Sequence, residues 1–84
     1  PPGRYQACFD LVIVAASPAD AAVTLDVAAD HGRRVLARQD LAGPSARTNF
    51  CLPFELDDYT EVEPRVHFNG GNVVFHGFVV ADRE

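Results

Sequence analysis

The sequence predicts an all-β fold, a single antiparallel β-sandwich with about six strands. Three observations carry this reading. Several runs alternate apolar and polar residues with a period of two, as a half-buried strand requires. Turn-forming clusters separate those runs at roughly 10–15-residue spacing. The strongest turn signal, Asn69-Gly70-Gly71-Asn72, supplies the positive φ angles that a tight hairpin needs.

Taken in order, Pro1-Pro2-Gly3 opens the chain, and residues 4–14 (RYQACFDLVIV) read as the first strand. Tyr5, Ala7, Phe9, Leu11 and Ile13 share its more apolar face, while Gln6, Cys8, Asp10 and Val12 share the other. Residues 15–22 read as a loop. Two readings compete over the following stretch. Ser17-Pro18-Ala19-Asp20 has the form of a helix start, which would make residues 21–29 a short helix ending at Gly32. Against it, Val23, Leu25 and Val27 alternate with Thr24, Asp26 and Ala28, and Val and Thr favour strands, so a strand is the preferred reading.

Asp30-His31-Gly32 is a turn, and residues 34–41 (RVLARQDL) return as a strand whose facing the pattern leaves ambiguous. Residues 42–45 form a loop. Residues 48–56 (TNFCLPFEL) then place Phe50, Leu52, Phe54 and Leu56 inward. Pro53 lies at the outward parity and cannot donate a ladder hydrogen bond, which marks an edge strand or a bulge. Pro64 points to an edge in the same way. The expected core contains Phe9, Leu11, Leu25, Val27, Phe50, Leu52, Phe54, Val66, Phe68, Val73 and Phe75.

The last two strands, around Asn69–Asn72, are expected to pair as a hairpin. A two-residue turn then puts alternate residues from Val62 to Phe68 and from Val73 to Val79 on one wholly apolar, buried face. The opposite face gathers Arg65, His67, Asn72, His76 and Phe78, with Val74 and Val80 beside them. Among all the polar groups of the chain, this mixed face carries the most binding chemistry.

Composition narrows the function classes. With 84 residues the chain is one domain or a piece of one, and it buries only about 60% of its unfolded surface. A hydrophobic fraction of 48% fits a packed globular domain. The net charge is −5 and lysine is absent, so the positive footprint that phosphate binding needs is missing and no nucleic-acid partner is expected. No run of about 18 apolar residues exists to span a membrane. The opening residues lack a charged segment followed by an apolar one, and a cytoplasmic setting is the expectation. The abrupt Pro-Pro-Gly start predicts a fragment of a larger module, or an N-terminal strand supplied from elsewhere.

Cys8 and Cys51 are too few for a disulfide framework, and the preferred reading is two free thiols. A bridge is the alternative, since both lie at the polar-face parity of their strands. It requires those strands to be neighbours. His67 and His76, expected to be near each other across the hairpin, make an incomplete metal site. Asp57, Asp58 and Glu61 could hold calcium, but acids in a turn are usually just solvated. No cofactor, metal or catalytic residue is assigned, and the chain is not expected to be an enzyme.

The order PPGRYQACFDL, TLDVAADHGRRVLARQDLAG and FCLPFELDDYTEVEPRVHFNGGNVVFHGFVV resembles a family of small jelly-roll modules. These modules are attached to bacterial glycosyltransferases and methyltransferases that build surface polysaccharides. The resemblance rests on Pro1, Gly3 and Tyr5, on Val35-Leu36-Ala37, on Phe50, Leu52, Pro53 and Phe54, and on the VEPRVHFNGG stretch. It implies a non-catalytic, jelly-roll-like carbohydrate-binding accessory module. The saccharide contact is expected on the Arg65, His67, Asn72, His76 and Phe78 face for its chemistry, an aromatic ring to stack on a sugar and Arg, His and Asn to bond its hydroxyls. The alternative is a structural or protein-interaction domain that packs on a neighbouring domain or forms a homodimer. Its support is the apolar content of the same face, Val74, Phe78 and Val80.

Overall fold

The computed structural model describes residues 2–15, 22–70 and 72–83. Among the described residues there are six strands: β1 (Gly3–Ala15), β2 (Val23–Ala29), β3 (Arg34–Leu41), β4 (Ser45–Leu56), β5 (Val62–Phe68) and β6 (Asn72–Asp82). They form two three-stranded antiparallel sheets, ordered β4-β1-β6 and β3-β2-β5, which pack together as a small β-sandwich. The pairs nest. β1 pairs with β6 in one sheet and β2 with β5 in the other, as when a long hairpin rolls up on itself. The loop expected at 15–22, with its rival helix start, lies almost wholly outside the described residues. Residues 23–29 are a strand, which settles that stretch in favour of alternation.

The core is built from the inward parity of each strand. Phe9, Leu11 and Ile13 of β1 face Val23, Leu25 and Val27 of β2, and all six are fully buried. Leu52, Phe54 and Leu56 close one side, with Tyr5 stacked on Phe54 at a centroid distance of 5.7 Å. Phe50, Val66, Val73 and Phe75 are half-buried against this cluster. Phe68 departs from expectation. It has the inward parity, opposite Val23, but stands 59% exposed at the end of an edge strand.

Local chemistry explains the joints. Asp30 and His31 both adopt positive φ, at 55° and 58°, in the tight turn linking β2 to β3. The ambiguous facing of β3 comes from a bulge: Val27 opposes Ala37 while Ala28 opposes Val35, so Leu36 is the extra residue. Leu36 and Ala37 consequently both pack on the core. Pro53 and Pro64 lie on β4 and β5, which are sheet edges, as their missing N–H groups require.

The expected hairpin between the last two strands does not form. β5 and β6 belong to different sheets, so these two strands, consecutive in the chain, are not neighbours. Turn residues allow a reversal of direction but do not dictate which strand is met afterwards. Here β2 and β1 each take one of the two strands as a neighbour. A second departure lies inside β6. Asp10 opposes Gly77 and Leu11 opposes Phe75, so His76 and Gly77 together face a single residue of β1. Gly77 has φ 130°, a conformation that L side chains rarely adopt, and this permits the bulge. Past it the facing inverts. Phe78 and Val80 turn to the inner side opposite Phe9 and Ala7, and Gly77 and Val79 turn outward opposite Asp10 and Cys8.

Candidate functional site

The five residues expected to share one face are divided between the sheets. Arg65 and His67 lie on the outer face of β3-β2-β5, while Asn72, His76 and Phe78 lie on β6 of the other sheet. Phe78 has the inner parity, with its ring centroid 6.2 Å from that of Phe9. His76 lies on the outer side, lining a shallow hollow with Asp10, Asn49 and Cys8.

What Arg65 and His67 do join is a polar network centred on Asp26, a residue the sequence reading left as ordinary alternation. Register creates it. Asp26 stands directly between Arg38 of β3 and Arg65 of β5, and Thr24 stands between Asp40 and His67. Arg65 donates to both carboxylate oxygens of Asp26, Nε to Oδ1 at 2.7 Å and Nη2 to Oδ2 at 2.9 Å. His67 Nε2 lies 3.0 Å from Oδ2. Thr24 Oγ1 donates to Asp40 Oδ1 at 2.7 Å and accepts from Asn69 Nδ2 at 2.9 Å. Arg38 approaches Asp40 at 3.3 Å.

The network roofs the central strand, every residue of which is buried. The Asp26 side chain is only 6% exposed. Burial alone would raise its carboxyl, but hydrogen bonds from Arg65 and His67 and the charge of Arg65 outweigh that and hold the pKa below the ordinary Asp value. The Arg65 guanidinium is correspondingly raised by its bond to Asp26. The bidentate guanidinium and His67 together occupy about three of the carboxylate's roughly four acceptor positions. The signal that could have revealed Asp26 was opposite charge at matching parity on β2, β3 and β5, readable once the strand partners are known.

The outer face of the other sheet holds a second bidentate pair. Arg47 donates to Asp10 from Nε at 3.0 Å and from Nη2 at 2.9 Å. That hydrogen bond from Arg47 is the main cause holding the Asp10 carboxyl below its usual value. Beside it Cys8 and Cys51, directly opposed across β1 and β4, form a disulfide with Cα atoms 4.0 Å apart. The preferred reading of two free thiols is thereby corrected. The polar-face parity of both cysteines was right, and adjacency of their strands, which only the fold supplies, completes the bridge.

At one end of the sandwich an open cleft is lined by Asp30, Arg34, Tyr59, Glu61 and Glu63, among others. Arg34 sits 3.3 Å from Asp30 and 3.8 Å from Asp58 there. Among the described residues no three His, Cys, Asp or Glu side chains gather as a metal site.

The remaining feature is an edge. β6 spans Asn72–Asp82 with one flank paired to β1 and the other, among the described residues, paired to no strand. Its apolar side chains stand in the open: Phe78 49%, Val79 66%, Val74 43% and Val80 38% exposed. No known protein family, curated protein or solved structure matches the chain.

Proposed function

We propose that this chain is a non-catalytic interaction module that binds an extended protein segment along the free edge of β6. The observation that carries the reading is how little guards that edge. Sheet edges are normally protected by charge, proline, shortness or bulges, because a row of free N–H and C=O groups recruits other strands, and of these devices β6 has the bulge at His76-Gly77 alone between Val73 and Ala81. β6 is 11 residues long, and from Val73 to Ala81 it holds no proline and no Asp, Glu, Lys or Arg. Main-chain bonds supply affinity in such strand addition, and exposed side chains such as Val79 and Phe78 supply selectivity. The Cys8–Cys51 bridge fits an oxidising compartment, where such bonds persist.

The saccharide reading is left with Arg65 and His67, both already engaged by Asp26. One experiment weighs the two. Random nonapeptides displayed on phage are selected on the immobilised domain, and polysaccharide fragments are titrated in parallel by amide chemical shifts. The expected outcome is a set of alternately apolar peptides whose binding disappears in Val79→Lys, a variant that keeps the parent's far-UV CD spectrum. Peptides indifferent to Val79→Lys, or glycans that shift the Arg65 and His67 amides while no peptide binds, would reverse the assignment.

A further inference from the structure

The sequence of β6 reads the same in both directions about its bulge. Val73-Val74-Phe75-His76 is followed by Gly77-Phe78-Val79-Val80, so that apart from the central His76 and Gly77 each residue has a twin at equal distance from the centre. In a regular strand this symmetry would be useless. Residues three apart, such as Phe75 and Phe78, would point to opposite faces. The bulge removes the obstacle. Because His76 and Gly77 together oppose Asp10, Phe75 and Phe78 both take the inner side, opposite Leu11 and Phe9. Val73 and Val80 do the same opposite Ile13 and Ala7, while Val74 and Val79 both face outward opposite Val12 and Cys8.

A twofold axis perpendicular to a sheet keeps inner faces inner and outer faces outer while reversing strand direction. A strand that is palindromic in both sequence and facing is therefore complementary to its own copy, as a twofold interface demands. We infer that β6 pairs antiparallel with β6 of a second copy of this chain, with Val73 opposite Val80, Val74 opposite Val79, Phe75 opposite Phe78 and His76 opposite Gly77. The product is a continuous six-stranded sheet across two sandwiches, with like apolar side chains adjacent across the axis.

The other three edges are unsuited to this. β4 carries Pro53, Arg47 and Glu55, β5 carries Pro64, Glu63 and Arg65, and β3 carries Arg34, Arg38 and Asp40. Among the described strands, β6 alone combines a free flank, apolar exposure and internal symmetry. The inference rests on the interaction-module reading and names the partner.

Two measurements test it. Sedimentation of the unmodified chain is expected to give twice its 9.1 kDa mass at micromolar concentration, and Val79→Lys is expected to give a monomer with the parent's far-UV CD spectrum and a Tm that, unlike the parent's, does not depend on concentration. Isotope-filtered NOE spectra of a mixed sample, half labelled with ¹³C and half unlabelled, are expected to show intermolecular contacts between the Phe75 and Phe78 rings and between the Val74 and Val79 methyls. A monomer at high micromolar concentration, a dimer indifferent to Val79→Lys, or intermolecular contacts in another register would each overturn the inference. A monomer that still selects β6-dependent peptides would sink the self-pairing and leave the module reading standing. A monomer that selects none would remove both.

Discussion

Replacing both Cys8 and Cys51 by alanine tests how far this small sandwich depends on its one cross-link. The bridge joins residues 43 apart in sequence. Closing a loop of that length removes about 13 cal/mol/K of entropy from the unfolded chain, or about 4 kcal/mol at 25 °C. Domains are stable by only about 5–15 kcal/mol in total, so the loss is a large share. The site is well suited to the test. Cys51 is exposed and Cys8 half-buried on the outer face of the sheet, so alanine opens no core cavity. At roughly 4–8 °C per kcal/mol for a domain of this size, the Tm should fall by about 15–30 °C. Thermal and urea unfolding of the double variant, and of the parent with and without dithiothreitol, provide the readout. If the double variant stayed within about 1 kcal/mol of the oxidised parent, the loop-entropy reasoning would be refuted. Two titratable thiols in the native parent would refute the bridge itself.

Three further outcomes are expected. Phe54→Ala, which empties a 4%-exposed core position and removes the stack on Tyr5, should cost about 3–5 kcal/mol in urea unfolding, and a parent-like midpoint would contradict the inward placement of β4. Gly43→Ala should destabilise by about 1–3 kcal/mol, because φ is +72° and the added methyl would collide with Ile13; unchanged stability would mean that this loop packs differently. For pH, the folded Asp26 and Asp10 pKa values lie below the ordinary value, so their contribution is complete above that value and is lost as pH falls through the folded one. Stability should therefore drop on acidification below about pH 4, and Asp26→Asn should flatten that slope; an identical acid profile in the variant would show that Asp26 contributes nothing to it.

Much of the fold was legible in residue order. Period-two alternation in 4–14 and 48–56 placed Phe9, Leu11, Leu52 and Phe54 inward, and the same parity put Cys8 and Cys51 outward together. The turn at Asp30-His31-Gly32 and the edge positions of Pro53 and Pro64 were likewise readable, because φ preference and a missing N–H are properties of single residues. Strand, turn and facing follow from such local preferences.

The choice of strand partner does not. Asn69-Gly70-Gly71-Asn72 has the chemistry of a hairpin, yet β5 goes to β2 and β6 goes to β1. With the hairpin went the shared face of Arg65, His67, Asn72, His76 and Phe78, since a face exists only where strands adjoin. The Gly77 bulge is non-local in the same sense: it is defined against Asp10, some 67 positions away, and it alone turns Phe78 inward. Asp26 reads as a position in an alternating strand and nothing more until Arg38 and Arg65 are set on either side of it. Local sequence decided what each strand is. Burial of two central strands, β1 and β2, on both flanks decided which strands meet, because only packing distant segments together could cover them.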